Sequence, residues 1–208
     1  MTNLSIPQNL ADMKNIIALI CLCTISNLAF SQGIPSQEVQ IKIALMAAPD
    51  ELKEGAMVYG YDNQGNFVVL RKGSNALICL ADDPNSPGFN VSCYHQDLDP
   101  FMERGRQLKR EGKSAQEIFD IREEEAKSGK LKMPKDGATL FVLSADASDY
   151  DDKTGEVKDP YLRYVVYIPW ATSESTGLPL RPYGPAMPWI MDPGTHRAHI
   201  MINPPREN

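Results

Sequence analysis

Seven consecutive residues, Leu162-Arg-Tyr-Val-Val-Tyr-Ile168, constrain this chain more than any other stretch. β-Branched and aromatic side chains at most steps suit a pleated, half-buried surface and lose rotamer freedom in a helix. A strand needs partners, and the chain supplies them. Thr139-Leu-Phe-Val-Leu143 is a second clear run. Ile200-Met-Ile202 is a third, stopped by Pro204 and Pro205, which cannot donate to a ladder. Upstream, the runs 57–61, 67–70 and 76–80 are separated by the turns Asp62-Asn-Gln-Gly-Asn66 and Lys72-Gly-Ser-Asn75. Short runs joined by Gly/Asn turns predict antiparallel hairpins. Beyond the breaker-rich loop 82–88, residues 91–94 read as one more short strand.

Helical sequence falls in two places. Ser36 is a plausible N-cap, and Ile41, Leu45 and Ala48 keep helical spacing up to Pro49. The alternation Val39-Ile41-Ile43 also suits a strand; residues 50–54 add one turn. Further on, Asp99-Pro100 sets an N-cap with proline at the first helical position, and Phe101, Gly105 and Leu108 continue to Gly112. Ser114-Ala-Gln-Glu117 is a capping box, with Ile118, Phe119, Ile121 and Ala126 as its apolar side. The Arg, Glu and Lys residues of this pair read as a solvated outer face. The expected fold is α+β: a single domain, mainly antiparallel sheet, with two or three helices packed on one face.

The N-terminus carries an export layout. Met13-Lys14-Asn15 is a positive start, residues 16–28 are apolar but interrupted, and Ala29-Phe30-Ser31 offers small residues for cleavage. The run is too short and too diluted for a good membrane span, which needs about 20 residues. Residues 1–31 are therefore expected to be a signal peptide, with Met13 a more natural start than Met1, and residues 32–208 a single exported, secreted or periplasmic domain. Cleavage removes one acid, Asp12, and one base, Lys14, so the net charge stays at −6. A mildly acidic chain has no footprint for nucleic acid, and nothing suggests membrane insertion once the signal is gone.

Only Cys79 and Cys93 lie beyond the signal. In an oxidising compartment an even pair points to a disulfide, which closes a loop of about 15 residues for roughly 3 kcal/mol in the chain-entropy model. Two thiolate metal ligands are the competing reading.

These residues resemble a loose group of small exported bacterial proteins of unassigned function. The resemblance rests on Cys79, Asp82-Asp-Pro84, Pro87-Gly88 and Cys93, on the run 140–143 with the Ser/Asp-rich loop after it, on Asp159-Pro160, and on His199-Ile-Met-Ile202. It covers residues 50–203 loosely and implies an exported domain with paired cysteines and a final histidine. It implies no activity.

Candidate chemistry is sparse. His95, His196 and His199 are the only histidines. Three imidazoles, with Asp97, Asp99 or Asp192, match the ligand types of a catalytic zinc site, although His-x-x-His in an extended segment points the rings apart. Otherwise His199 packs in the sheet and His196, following the Pro193-Gly194 turn, meets solvent. Residues 146–152 are aspartate-rich but miss the EF-hand pattern: the sixth position is Asp151 and the twelfth Val157. No Gly-x-Ser-x-Gly elbow or phosphate loop occurs, and no cofactor is implied. Aromatics concentrate late: Tyr161, Tyr164, Tyr167, Trp170, Tyr183 and Trp189, beside Arg163 and Arg181. They serve either as exposed stacking surfaces or as core, with Tyr164, Val166 and Ile168 on one buried strand face. The first expectation is a non-catalytic binding or interaction domain for a small molecule, glycan or protein. Its contacts are expected in loops 171–198 and at His95, Arg181, Tyr183, Trp189, His196 and His199, with His199 and Trp189 lining any pocket. The alternative is a metal-assisted hydrolase using His95, His196 and His199.

Overall fold

The computed structural model describes residues 33–206, so the expected signal segment 1–31 lies outside the described residues. In chain order come α1 (Gln37–Ala44), a 3-10 turn (Leu45–Ala47), α2 (Asp50–Lys53), β1 (Met57–Tyr61), β2 (Phe67–Arg71), β3 (Leu77–Leu80) and β4 (Phe89–His95). Then follow α3 (Asp99–Arg110), α4 (Ala115–Lys127), β5 (Ala138–Ala145), β6 (Tyr150–Asp151), β7 (Glu156–Val157) and β8 (Tyr161–Tyr167). A short α5 (Ser173–Thr176), β9 (Trp189–Met191) and β10 (His199–Ile202) complete the chain. Eight strands form one sheet in the order β2-β1-β3-β4-β5-β8-β10-β9. The anticipated core strand, β8, lies between β5 and β10 and pairs antiparallel with both.

The fold is α+β, but the sheet is mixed. β1 pairs antiparallel with β2 and parallel with β3, so the anticipated run of simple hairpins is wrong at β3. The short link after β2 turns beneath β1 and delivers β3 to its other side. Ser74 and Asn75 donate their N–H groups to the Gly55 carbonyl, at 2.7 and 3.0 Å. Gly73 passes so close that a Cβ there would stand 2.5 Å from the Met57 nitrogen. Arg71 fastens the same corner, its guanidinium donating to the Lys53 and Ala56 carbonyls. The β3–β4 pair is the expected antiparallel one. It sets Cys79 directly opposite Cys93, and the two form a disulfide.

Helices cover both faces of the sheet rather than one. Alternation along the strands sends Val58, Cys79, Val91, Cys93 and Leu143 to one side, where α1 brings Ile43, Ala44 and Ala47. Ile78, Tyr94, Leu140, Val165, Tyr167 and Met201 go to the other, beneath Leu98 and Phe101 at the start of the α3–α4 hairpin. The capping box at Ser114 and Glu117 forms as expected, and so does the Ser36 cap of α1. The buried side of α1 is not the anticipated one: Gln40, Ile43 and Ala44 are buried, while Ile41 and Leu45 are half-buried. The aspartate-rich loop contains the β6–β7 hairpin and folds back on the α1 side, with Tyr150 against Phe89 and the Thr154 carbonyl accepting from Lys42.

The α1-side layer is incomplete. Ile200 faces Val166 and Ile202 faces Tyr164 across the β8–β10 ladder. Among the described residues these four belong to neither core, and Tyr164 is 38% exposed. The buried residues of β8 are instead Val165 and Tyr167, which reverses the expected choice of Tyr164, Val166 and Ile168. The β-branched run was read correctly as a strand, but which face is covered depends on where the helices land.

Gln40 explains how α1 is docked. It is only 2% exposed. Its amide nitrogen donates to the Pro35 and Tyr61 carbonyls, each at 2.8 Å, and its oxygen accepts the Tyr61 N–H at 2.7 Å. The side chain thus completes the β1 ladder as a neighbouring peptide would, and Gly60 leaves room, since a Cβ there would lie 2.5 Å from Gln40 Oε1. Replacing Gln40 with leucine strands a buried donor and acceptor, so Gln40→Leu should lower unfolding stability by about 2–4 kcal/mol at unchanged m in urea titration. A loss under about 0.5 kcal/mol would contradict this role.

Candidate functional site

Helix α4 meets the corner between β9 and β10 through charged residues. An apolar stripe at helical spacing runs through Ile118, Arg122, Glu125 and Ala126, so two of its positions are charged. Arg122 and Glu125 are both 9% exposed, so they depart from the solvated face expected of this helix pair, on which Lys109, Arg110, Glu117, Glu124 and Lys127 do lie. Glu125 takes a two-pronged contact from Arg104 on α3, both bonds at 2.8 Å, and a third from Lys130. Arg122 is the less compensated charge. It lies 3.9 Å over the Phe101 ring and donates to the Phe101 carbonyl at 3.2 Å, while its Nε finds no partner among the described residues. Burial pushes its guanidinium down to about 10.

The next residue, Glu123, reaches the corner. Its Oε2 lies 2.9 Å from His196 Nδ1 and accepts the His196 backbone N–H at 3.4 Å, while Lys127 donates to Oε1 at 2.6 Å. Burial alone would raise this carboxyl, but the bonds from Lys127 and His196 outweigh it and hold it below the usual carboxylate range. An ionised carboxylate only accepts, so Nδ1 carries the hydrogen and Nε2 is the bare acceptor. Nε2 has no partner among the described residues.

His196 is 0% exposed, so the expectation that it meets solvent is wrong. The Pro193-Gly194 turn folds inward, placing the ring between Phe119 (4.9 Å) and Phe101 (5.8 Å). His199, 8% exposed, is buried as anticipated, with Nδ1 2.7 Å from the Arg197 carbonyl and its ring stacked on Tyr167. Burial lowers the proton affinity of both imidazoles. For His196 Glu123 opposes that trend, while Arg122 and Arg197 reinforce it.

The structure brings two histidines into one aromatic cluster and leaves the third outside. His95 ends β4, accepting the Asp97 N–H. Two strands separate β4 from β10, roughly 14 Å at the usual spacing. Alternation also puts His95 on the Cys93 side and His199 on the Met201 side. The three-histidine set is therefore not assembled. No group of three His, Cys, Asp or Glu stands ready to hold a metal among the described residues. Asp99 is engaged by Tyr94 and Arg106, and Asp192 by Arg197 at 2.7 Å. Trp189 and His199 share a sheet face, but Trp189 packs against the core under the helical hairpin instead of lining a pocket wall. Arg181 and Tyr183 are exposed, Tyr183 at 71%.

Asp82 and Asp83 pin the β3–β4 loop. Asp82 accepts the Asn90 N–H at 2.8 Å, and burial raises its carboxyl to about 6. Asp83 accepts from Asn85, Ser86 and Lys109.

Burial of both rings removes the expected gap between the two late histidines. His196→Ala opens a cavity and leaves Glu123 without a ring partner. It should cost about 2–4 kcal/mol in denaturant unfolding, at least as much as His199→Ala. A His196→Ala cost below about 0.5 kcal/mol would contradict the packing described.

The geometry stands without help from relatives, for no family model, curated protein or solved structure matches this chain.

Proposed function

We propose that this chain is an exported, non-catalytic interaction domain that takes a protein partner on the half-bare sheet face of β8 and β10, with the loop from Pro169 to Pro188 beside it. The observation that carries this reading is the distribution of uncovered apolar surface. Tyr164, Val166, Ile200 and Ile202 form two cross-strand pairs outside both cores, Tyr164 exposed and the other three half-buried. Among the described residues, four of the seven large apolar ones that are exposed, Trp170, Leu180, Tyr183 and Met187, fall in the single stretch 170–187. Contiguous apolar surface marks interaction sites, whereas isolated exposed hydrophobes do not.

The loop adjoins the face and carries backbone strain. Ala186 donates its N–H to the Asn203 carbonyl just past β10, and Ile190 donates to the Pro179 carbonyl. Trp170 and Ala186 hold positive φ of 69° and 57° without being glycine. Such conformations persist where surrounding structure enforces them and cluster at functional segments. Valine and isoleucine pairs suit a protein surface better than a sugar, which asks for flat aromatic platforms bordered by hydrogen-bonding groups. The buried histidines play no contact role in this reading.

In-cell photo-cross-linking tests the proposal. A photoreactive phenylalanine analogue at Tyr164 or Tyr183 should give discrete protein adducts in exported material, and the same probe at Gln116 on exposed α4 should not. Absence of adducts from both face and loop, with the Gln116 probe behaving identically, would sink it.

A further inference from the structure

We infer that the Glu123–His196 contact is an acid-sensitive latch: protonation of His196 at Nε2 releases the corner 192–198 from α4 and loosens the mounting of the loop that leaves β8. As regulation of a binding surface it rests on the interaction reading above; as a property of the corner it does not.

The cluster leaves no place for a second proton. Nδ1–H is committed to Glu123, and the incoming proton arrives at Nε2, buried and lacking an acceptor among the described residues. The ring is enclosed by Phe101 and Phe119. Charged or titratable groups come from every other element packed there. Helix α4 supplies Arg122, Glu123 and Lys127, the corner Arg197 and Asp192, β8 Tyr167, and β10 His199. The negative groups are already engaged, Glu123 by Lys127 and Asp192 by Arg197. Enclosure of the ring is the largest effect against a new cation; Glu123 favours it, and the Arg122 and Arg197 guanidiniums oppose it, leaving the balance against the charged form. A buried charge without its own acceptor is relieved by exposure to water.

The corner transmits that release. Thr195 accepts the Trp170 N–H at 2.8 Å, Ala198 accepts the Ile168 N–H at 2.9 Å, and Gly194 donates to the Ala171 carbonyl at 2.7 Å. These three bonds fix the exit of β8, including the positive φ of Trp170. The sign is definite. The open corner binds a proton at the ordinary histidine value near 6.5, while the closed corner binds it only at lower pH. The stability of the closed corner is fully present above about pH 6.5 and declines progressively as the pH falls from there toward the lower value of the closed state.

Hydrogen exchange followed by mass spectrometry on the whole chain, corrected for intrinsic rates between pH 7.5 and 5, reads the latch directly. Protection of the Ile168, Trp170 and Gly194 amides should fall below about pH 6.5 with a slope that approaches, and does not exceed, about tenfold per pH unit, while β4 and β5 amides keep theirs. His196→Asn keeps a donor toward Glu123 but cannot protonate, and its slope should be smaller by about one power of ten per pH unit. Constant wild-type protection, or equal slopes in both proteins, would overturn the latch. If His196→Asn does not fold, the wild-type His196 ring-proton NMR titration decides. Proton uptake coincident with loss of corner protection supports the latch, and uptake with the corner still protected overturns it. Failed cross-linking at neutral pH would remove the binding surface without touching this result.

Discussion

A carboxylate–imidazole contact spanning 73 residues ties the corner before β10 to helix α4. Glu123 stands on a capped helix, and His196 on a corner with few apolar anchors apart from Ala198 and the ring itself. The contact adds a tie to α4 behind the bonds from Ile168, Trp170 and Gly194, which otherwise rest on the β8–β10 ladder alone. The loop beyond Trp170 inherits its geometry from these bonds.

The contact is worthwhile only because its polar groups are nearly all answered. A buried imidazole costs little when neutral and hydrogen-bonded, and a carboxylate shared by an ammonium, a ring N–H and a backbone N–H is well compensated. The same completeness makes the site intolerant of extra charge. Arg122, with one carbonyl and one aromatic face for company, already holds a partly compensated cation in the neighbourhood. A hydrophobic cluster of equal size would hold the corner more simply, and would not respond to protons. Elsewhere the molecule relies on ordinary packing: the disulfide pair inside a two-layer core, and a glutamine that finishes a strand edge.

What could be read from the sequence was what is local. The Ser36 and Ser114 caps, the β8 strand, the loop between Cys79 and Cys93 and the partnership of those cysteines all follow from residues close together in the chain. The parallel placement of β3 did not, because it depends on a loop passing under β1, for which Gly73 is the sole trace. His196 was misjudged since its partner lies 73 positions earlier on another element. A signal was nonetheless present: charged residues at 122 and 125 occupy positions where the helical stripe of Ile118 and Ala126 asks for apolar ones. The uncovered half of the sheet was invisible to periodicity, as Tyr164–Val166 and Val165–Tyr167 are equally apolar, and only the placement of α1 and the hairpin chooses between them.

Whether Glu123 and His196 act as one unit is decided by a double-mutant cycle. Unfolding free energies of Glu123→Ala, His196→Phe and the double variant, taken at pH 7.5, isolate the pair; phenylalanine keeps the ring volume but removes the bond. The account predicts a coupling energy of about 1–3 kcal/mol. Additivity within about 0.3 kcal/mol would contradict it.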